Sequence, residues 1–315
     1  MVRITIPLYD DSELSGVASA TAPLNDEIPY IDRERIAFEL SDFVFKIASE
    51  LIYSVSDSPR LKEFSDKEKV AFAFLQRATI NHKCNHKLTR EGICSERDGF
   101  QIPIRDGYKA IPLTRSVYEH LAMFYYLFEY PESQEESKLI WDSWYIGSKK
   151  NLLRGNDDMY KAEREKAQKE IEALKKSILS SELTKKCLNE GKAKKEYLLK
   201  GDIFSIRIQG DKDKCSYEKL TYDKAWKYLY NDNADLVLLY PYLSLHSHPT
   251  YNGLLGLYNQ DRRDNEYSMN LSCNFLACLC RLFMKHMNIE EEVITKDFTK
   301  RQYGMYKFLS NKRTI

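Results

Sequence analysis

Arg115, Glu119 and His120 lie within two helical turns of one another in Leu113 to Phe128, LTRSVYEHLAMFYYLF, a stretch that is otherwise mostly apolar. Residues four apart share a helix face, so Arg115 and Glu119 are neighbours. A later apolar stretch, YPYLSLHSHP, repeats that spacing with Ser244 and His248. Charges survive in apolar surroundings when they are paired and hydrogen-bonded, because desolvation costs several kcal/mol per ion. The simplest assembly sets the two polar pairs opposite each other. Arg115 then binds Glu119, His248 approaches one of them, and Ser244 caps the network. Two uses remain open. The groups can satisfy a core, or they can line a polar pocket whose pKa values are tuned by burial for acid–base work.

Two further constellations carry chemistry. His82, Cys84, His86 and Cys94, in HKCNHKLTREGIC, are soft or borderline ligands of the kind zinc takes in a tetrahedron. Their spacing is that of no known zinc finger, and Cys84 points away from the face shared by His82 and His86. A polar helix end is the alternative. Near the C-terminus, Lys300, Arg301 and Lys307 interleave with Tyr303 and other aromatics. Basic groups track phosphates and rings stack on bases, although a docked terminal segment has the same composition. No Gly-rich phosphate loop, nucleophile elbow or His-Glu-x-x-His sequence occurs.

The elements that must position these residues are mainly helical. Gly (12) and Pro (9) are scarce in 315 residues, which leaves few breaks. Ile36, Leu40, Phe43, Ile47 and Leu51 draw an apolar stripe along a helix over 31–56. Ser65 and Glu68 form a capping box opening a second helix, 65–84. A loop is expected over 90–112, rich in turn residues. Pro112 suits the first turn of the helix that carries Arg115, and Pro131 stops it. A fourth helix spans 132–153. From 157 to 200 charge rises while Ala167, Ile171, Leu174 and Ile178 trace a narrow seam, the pattern of a charged helical hairpin inserted in the bundle. A small strand hairpin follows, then short helices over 222–230 and around Pro241, and a last core helix ending near Met287.

The expected fold is therefore mainly α, a bundle of about seven or eight helices. Its expected parts are an irregular segment over 1–30 with a short strand, the bundle over 31–288 with its insertion, and a basic aromatic tail over 289–315. A formal charge of +1 provides no global field toward nucleic acid or membrane, so such binding needs a local patch. No apolar stretch reaches the length of a membrane span, and no signal peptide is read at the start. Seven scattered cysteines then suggest reduced thiols in the cytoplasm.

Arg115-x-x-x-Glu119 in an apolar helix, Trp141 and Trp144 in the next, and Tyr240-x-x-Leu243-Ser244-x-x-x-His248-Pro249 together resemble a bacterial family of domains of unknown function. That family is similar to the helical HEPN superfamily, and the resemblance spans about 31–287. It implies a helical bundle, often dimeric. It also implies metal-independent RNA cleavage in stress or phage defence, or else a non-catalytic module of a defence or regulatory complex. HEPN ribonucleases carry an Arg followed some residues later by a His, a spacing met by Arg115-Ser-Val-Tyr-Glu-His120. Neutral His can take the proton of a ribose 2′-hydroxyl, and Arg can hold the phosphate. Residues five apart on a helix diverge by about 140°, so a second subunit or His248 would have to complete such a site. The implied partners are RNA, a second copy of the chain, and a protein contacting the charged hairpin; no cofactor and no membrane are expected.

Overall fold

The computed structural model describes residues 30–91, 93–97, 100–104, 110–153, 160–209, 214–230, 239–247 and 262–310. The expected strand near the N-terminus and His248 lie outside these residues. So do the side chains of Cys94, Arg301 and Lys307. The fold is mainly helical, as the sequence predicts, with two antiparallel two-stranded hairpins. Its contacts form two compact units, one of residues up to Phe124 together with those from Trp226 onward, the other Tyr125–Ala225.

In the first unit, α1 (Tyr30–Ser56) buries Leu40, Phe43, Ile47 and Leu51. Ile36, expected on the same stripe, stays 42% exposed, and Ala37, Val44 and Ala48 carry the buried face instead. The capping box opens α2 (Asp66–Glu91): Ser65 N–H donates to Glu68 Oε2 at 2.8 Å and Glu68 N–H to Ser65 Oγ at 3.3 Å. Helix α2 runs well past Cys84. The loop expected after it contains a hairpin, β1 (Ile93–Arg97) on β2 (Phe100–Ile104), paired from Ile93 with Ile104 to Arg97 with Phe100. The intervening sequence, Asp98-Gly99, is a dipeptide that favours two-residue hairpin connections. Next comes α3 (Ala110–Phe124), with Pro112 in its first turn. Helices α9 (Leu239–Ser247) and α10 (Arg262–Met287) follow later in the chain. Helix α10 is buried nearly all round from Leu271 to Cys280 and packs against α1, α2 and α3. The tail forms α11 (Glu292–Thr295) and α12 (Lys300–Ser310).

The second unit begins with a π-helical turn, Tyr125–Glu129, closed by Tyr130 N–H donating to Tyr125 O at 2.8 Å. Ser133 caps α4 (Gln134–Leu152) through the Glu136 N–H. Helix α5 (Lys161–Ser180) packs along α4 through Ala167, Ile171 and Ile178, the seam predicted for the charged segment. Helices α6 (Glu182–Asn189) and α7 (Lys195–Leu198) lead to β3 (Phe204–Gln209) paired with β4 (Lys214–Lys219). Leu139, Ile146, Ile171, Ile178, Phe204 and Ile206 belong to a continuous core of this unit. Helix α8 (Tyr222–Tyr230) contributes its residues from Trp226 on to the first unit.

Candidate functional site

Arg115 and Glu119 meet as their spacing requires: Arg115 Nε donates to Glu119 Oε1 at 2.7 Å. Their neighbour from α9 is Tyr240. Arg115 Nη2 donates to the Tyr240 hydroxyl at 3.2 Å, which in turn donates to Glu119 Oε1 at 3.2 Å. The guanidinium also lies 5.4 Å from the Tyr240 ring centroid. Burial works against the Arg115 charge, but Glu119 outweighs it and holds the pKa above the ordinary value. Burial and Glu119 push the Tyr240 hydroxyl up to about 12. Tyr118, within 5.6 Å of Tyr240 between ring centroids, continues the packing into Trp226 and Phe275. Ser244, expected to cap this pair, is half-buried without a hydrogen bond to it. Tyr240 holds that place, because its longer side chain spans from α9 to both ions. The three groups bond one another, and this clamps α9 to α3.

His120 stands apart from this clamp. Its Nδ1 lies 2.5 Å from the Ser116 carbonyl oxygen. A carbonyl can only accept, so Nδ1 carries the hydrogen and Nε2 presents a lone pair. Burial lowers the His120 pKa, the Ser116 carbonyl opposes that, and the nearby Arg77 charge lowers it further. The shift is toward the uncharged imidazole. No described group bonds Nε2.

Opposite His120, α2 presents Phe74, Arg77 and Asn81, which follow one another at helical spacing on a single stripe. The Phe74 ring meets His120 edge-on with centroids 5.8 Å apart. Asn81 Nδ2 donates to Ser116 Oγ at 2.8 Å. Arg77 is exposed and forms no ion pair among the described residues. Sequence reasoning missed Arg77 and Asn81. Their one signal was position, two polar groups four apart on the face that α2 turns to α3.

Of the candidate zinc ligands, His82 and His86 are engaged by neighbouring helices. His82 Nε2 lies 3.2 Å from the Ser41 carbonyl oxygen and 3.0 Å from Ser41 Oγ, while Nδ1 lies 2.8 Å from Ser272 Oγ. Both ring nitrogens are thus engaged. His86 Nδ1 lies 2.8 Å from Ser41 Oγ, and Nε2 is 3.7 Å from Asp42 Oδ1. Cys84 is exposed on the far side of α2. Among the described residues no group of three or more His, Cys, Asp or Glu could hold a metal. This polar seam ties α1 and α2 to α10. Asn85, Thr114 and Ser268 extend it through α3, with Asn85 Nδ2 donating to Thr114 Oγ1 at 2.7 Å.

In the tail, Thr299 and Gln302 box the start of α12. Phe298 packs on Phe43 of α1, and Tyr306 is fully buried. Lys300 and Tyr303 remain exposed, on a helix docked through those aromatic residues. No helix among the described residues is long and apolar enough to cross a membrane.

No protein-family model matches the chain, and comparison with curated proteins and with solved structures gave no significant similarity.

Proposed function

We propose that the first unit acts on RNA as a metal-independent ribonuclease, with His120 as its general base. One observation carries the reading. The Ser116 carbonyl fixes the His120 tautomer and leaves Nε2 to accept a proton, and burial favours the uncharged ring. That is the state a base needs to take the proton of a ribose 2′-hydroxyl near neutral pH. The 2′-oxygen then bonds to phosphorus, the bond from phosphorus to the 5′-oxygen breaks, and the imidazolium returns the proton to the departing oxygen. The product is a 2′,3′-cyclic phosphate, and neither metal nor cofactor enters the balance. Arg115 is not assigned to this chemistry, because Glu119 and Tyr240 already engage it.

The test is cleavage of a mixed RNA pool in EDTA. Wild type should cut, and His120→Gln should cut about a hundredfold more slowly or worse, a general base being worth that order. The rate should fall as pH drops through the lowered His120 pKa, and hold steady above it. Arg77 of α2 and Glu119 of α3 are the charges that face the ring and set that midpoint. No cutting by either protein, with both folded, would end this reading. The alternative use is a non-catalytic module in which the Arg115 clamp holds α9 in place and the charged face of α5 meets a protein partner.

A further inference from the structure

A ligand for the groups around His120 is specified by what they lack. Arg77 offers a guanidinium fork with no carboxylate on it among the described residues. Ser116 Oγ accepts from Asn81, which leaves its own hydrogen to donate. His120 Nε2 can only accept. The α2–α3 seam therefore holds two donors, one of them charged, beside one acceptor. The complement is an anion with oxygens for the donors and an adjacent hydroxyl for the imidazole. A carboxylate satisfies the first demand alone. A ribonucleotide carrying phosphate on its 3′-oxygen and a free 2′-hydroxyl satisfies both, and planar guanidinium matches phosphate oxygens two at a time.

We propose that Arg77 and Ser116 form an oxyanion subsite for the 3′-phosphate of a ribonucleotide, placing its 2′-hydroxyl on His120 Nε2, with Asn81 as a positioning residue that orients the Ser116 hydroxyl. The proposal rests on His120 being the base, and it takes the phosphate-binding arginine from α2 while α3 supplies the Ser116 hydroxyl. Two helices converge where one cannot, since successive turns of a lone helix send Arg115 and His120 apart. Phe74 packs against the imidazole from the α2 side and limits its rotation.

The experiment titrates the full chain with a ribonucleoside 3′-monophosphate, which cannot itself be cleaved, while the His120 ring is followed by NMR. The 2′-deoxy analogue is the second probe. In wild type the ribonucleotide should shift the His120 resonances and raise the midpoint of the ring's titration, because a bound phosphate favours the imidazolium. Arg77→Ala should weaken binding about tenfold, the order of one charge-assisted contact. Arg77→Lys should fall between, keeping the charge and losing the fork. Asn81→Ala should leave the unliganded His120 midpoint in place and still weaken binding. Lys46→Ala, which removes an exposed cation of α1, should change nothing. The deoxy analogue should bind more weakly and move the imidazole less.

An unperturbed His120 in wild type would overturn the proposal. So would equal losses in Arg77→Ala and Lys46→Ala, or equal binding of both probes. Binding that depends on Arg77 in a protein that cuts no RNA would uphold the subsite and end the ribonuclease reading. RNA cleavage lost in His120→Gln and untouched in Arg77→Ala would uphold that reading and end the subsite.

Discussion

His82 is fully buried and bonded at both ring nitrogens, and its pKa falls from the usual 6.5 to about 4. Burial is the main cause; the Ser41 carbonyl opposes it, His86 and Lys83 add to it, and Asp42 of α1 pulls the other way. In the unfolded chain the same ring binds a proton near pH 6.5, so unfolding takes up a proton between those values. Stability from this group is complete above pH 6.5 and drains away as pH falls toward 4, by about 3 kcal/mol in all. Urea melts at pH 7, 5 and 4 should show that loss, and His82→Gln should flatten the dependence. A wild-type profile level across this range would count against it. Arg115 yields a second prediction. Its side chain is 19% exposed and that of Glu119 27%, so Arg115→Ala should cost about 1–3 kcal/mol, between the values for surface and fully buried pairs. Thermal melting measures this, and loss of the Tyr240 contact should loosen α9 as well. The Arg115–Glu119 contact was legible because it depends on spacing within one helix. Tyr240 was harder to choose, because its selection over Ser244 depends on how α9 lies against α3. The two histidines look like ligands in sequence because nothing local says that Ser41 and Ser272 will reach them from other helices.

Gly147 and Gly201 show the same limit at the level of elements. A Cβ on Gly147 would lie 2.5 Å from the Gly201 carbonyl oxygen, and Gly201 itself has φ +86°. The helix α4 must pass this close to the turn before β3. Gly147→Ala should therefore cost about 1–3 kcal/mol through backbone displacement, read as a lower melting temperature with α4 still helical by circular dichroism. An unchanged melting temperature would show that the turn yields at no cost. Helices were the most legible elements: the stripe of α1, the capping box of α2, the bounds of α8 and the seam of α5 all follow local periodicity. The length of α2 and the β1–β2 hairpin both depart from the local pattern. Residues beyond Cys84 hold a polar face that reads as a helix end, but it is buried in the seam with Thr114 and Ser268. Turn residues such as Asp98-Gly99 fit a loop and a hairpin alike until strand pairing decides between them.

For the whole molecule, two cores predict two unfolding events. Calorimetry should resolve two transitions, with Gly147→Ala lowering only that of the Tyr125–Ala225 unit and acid pH lowering mainly that of the unit containing His82. A single transition shifted by both changes would show one cooperative block. Mainly helical architecture was legible from composition and periodicity. The division at Tyr125 was less so, since the apolar run from Leu113 to Phe128 continues across it and changes only from α to π geometry.

Cys84 gives the proposed chemistry an optical handle. Cys187, Cys215, Cys273, Cys278 and Cys280 are all buried, and burial raises the thiol pKa of Cys187, Cys215, Cys273 and Cys280. Cys84 is the exposed thiol among them, and it follows Arg77 by two turns on the same stripe of α2, ~10 Å along the axis. A maleimide dye placed there in a Cys94→Ser background would stand beside the ribonucleotide subsite without entering it. Its emission could follow nucleotide arrival in stopped flow, and later dye uptake by the buried thiols would time the opening of each core.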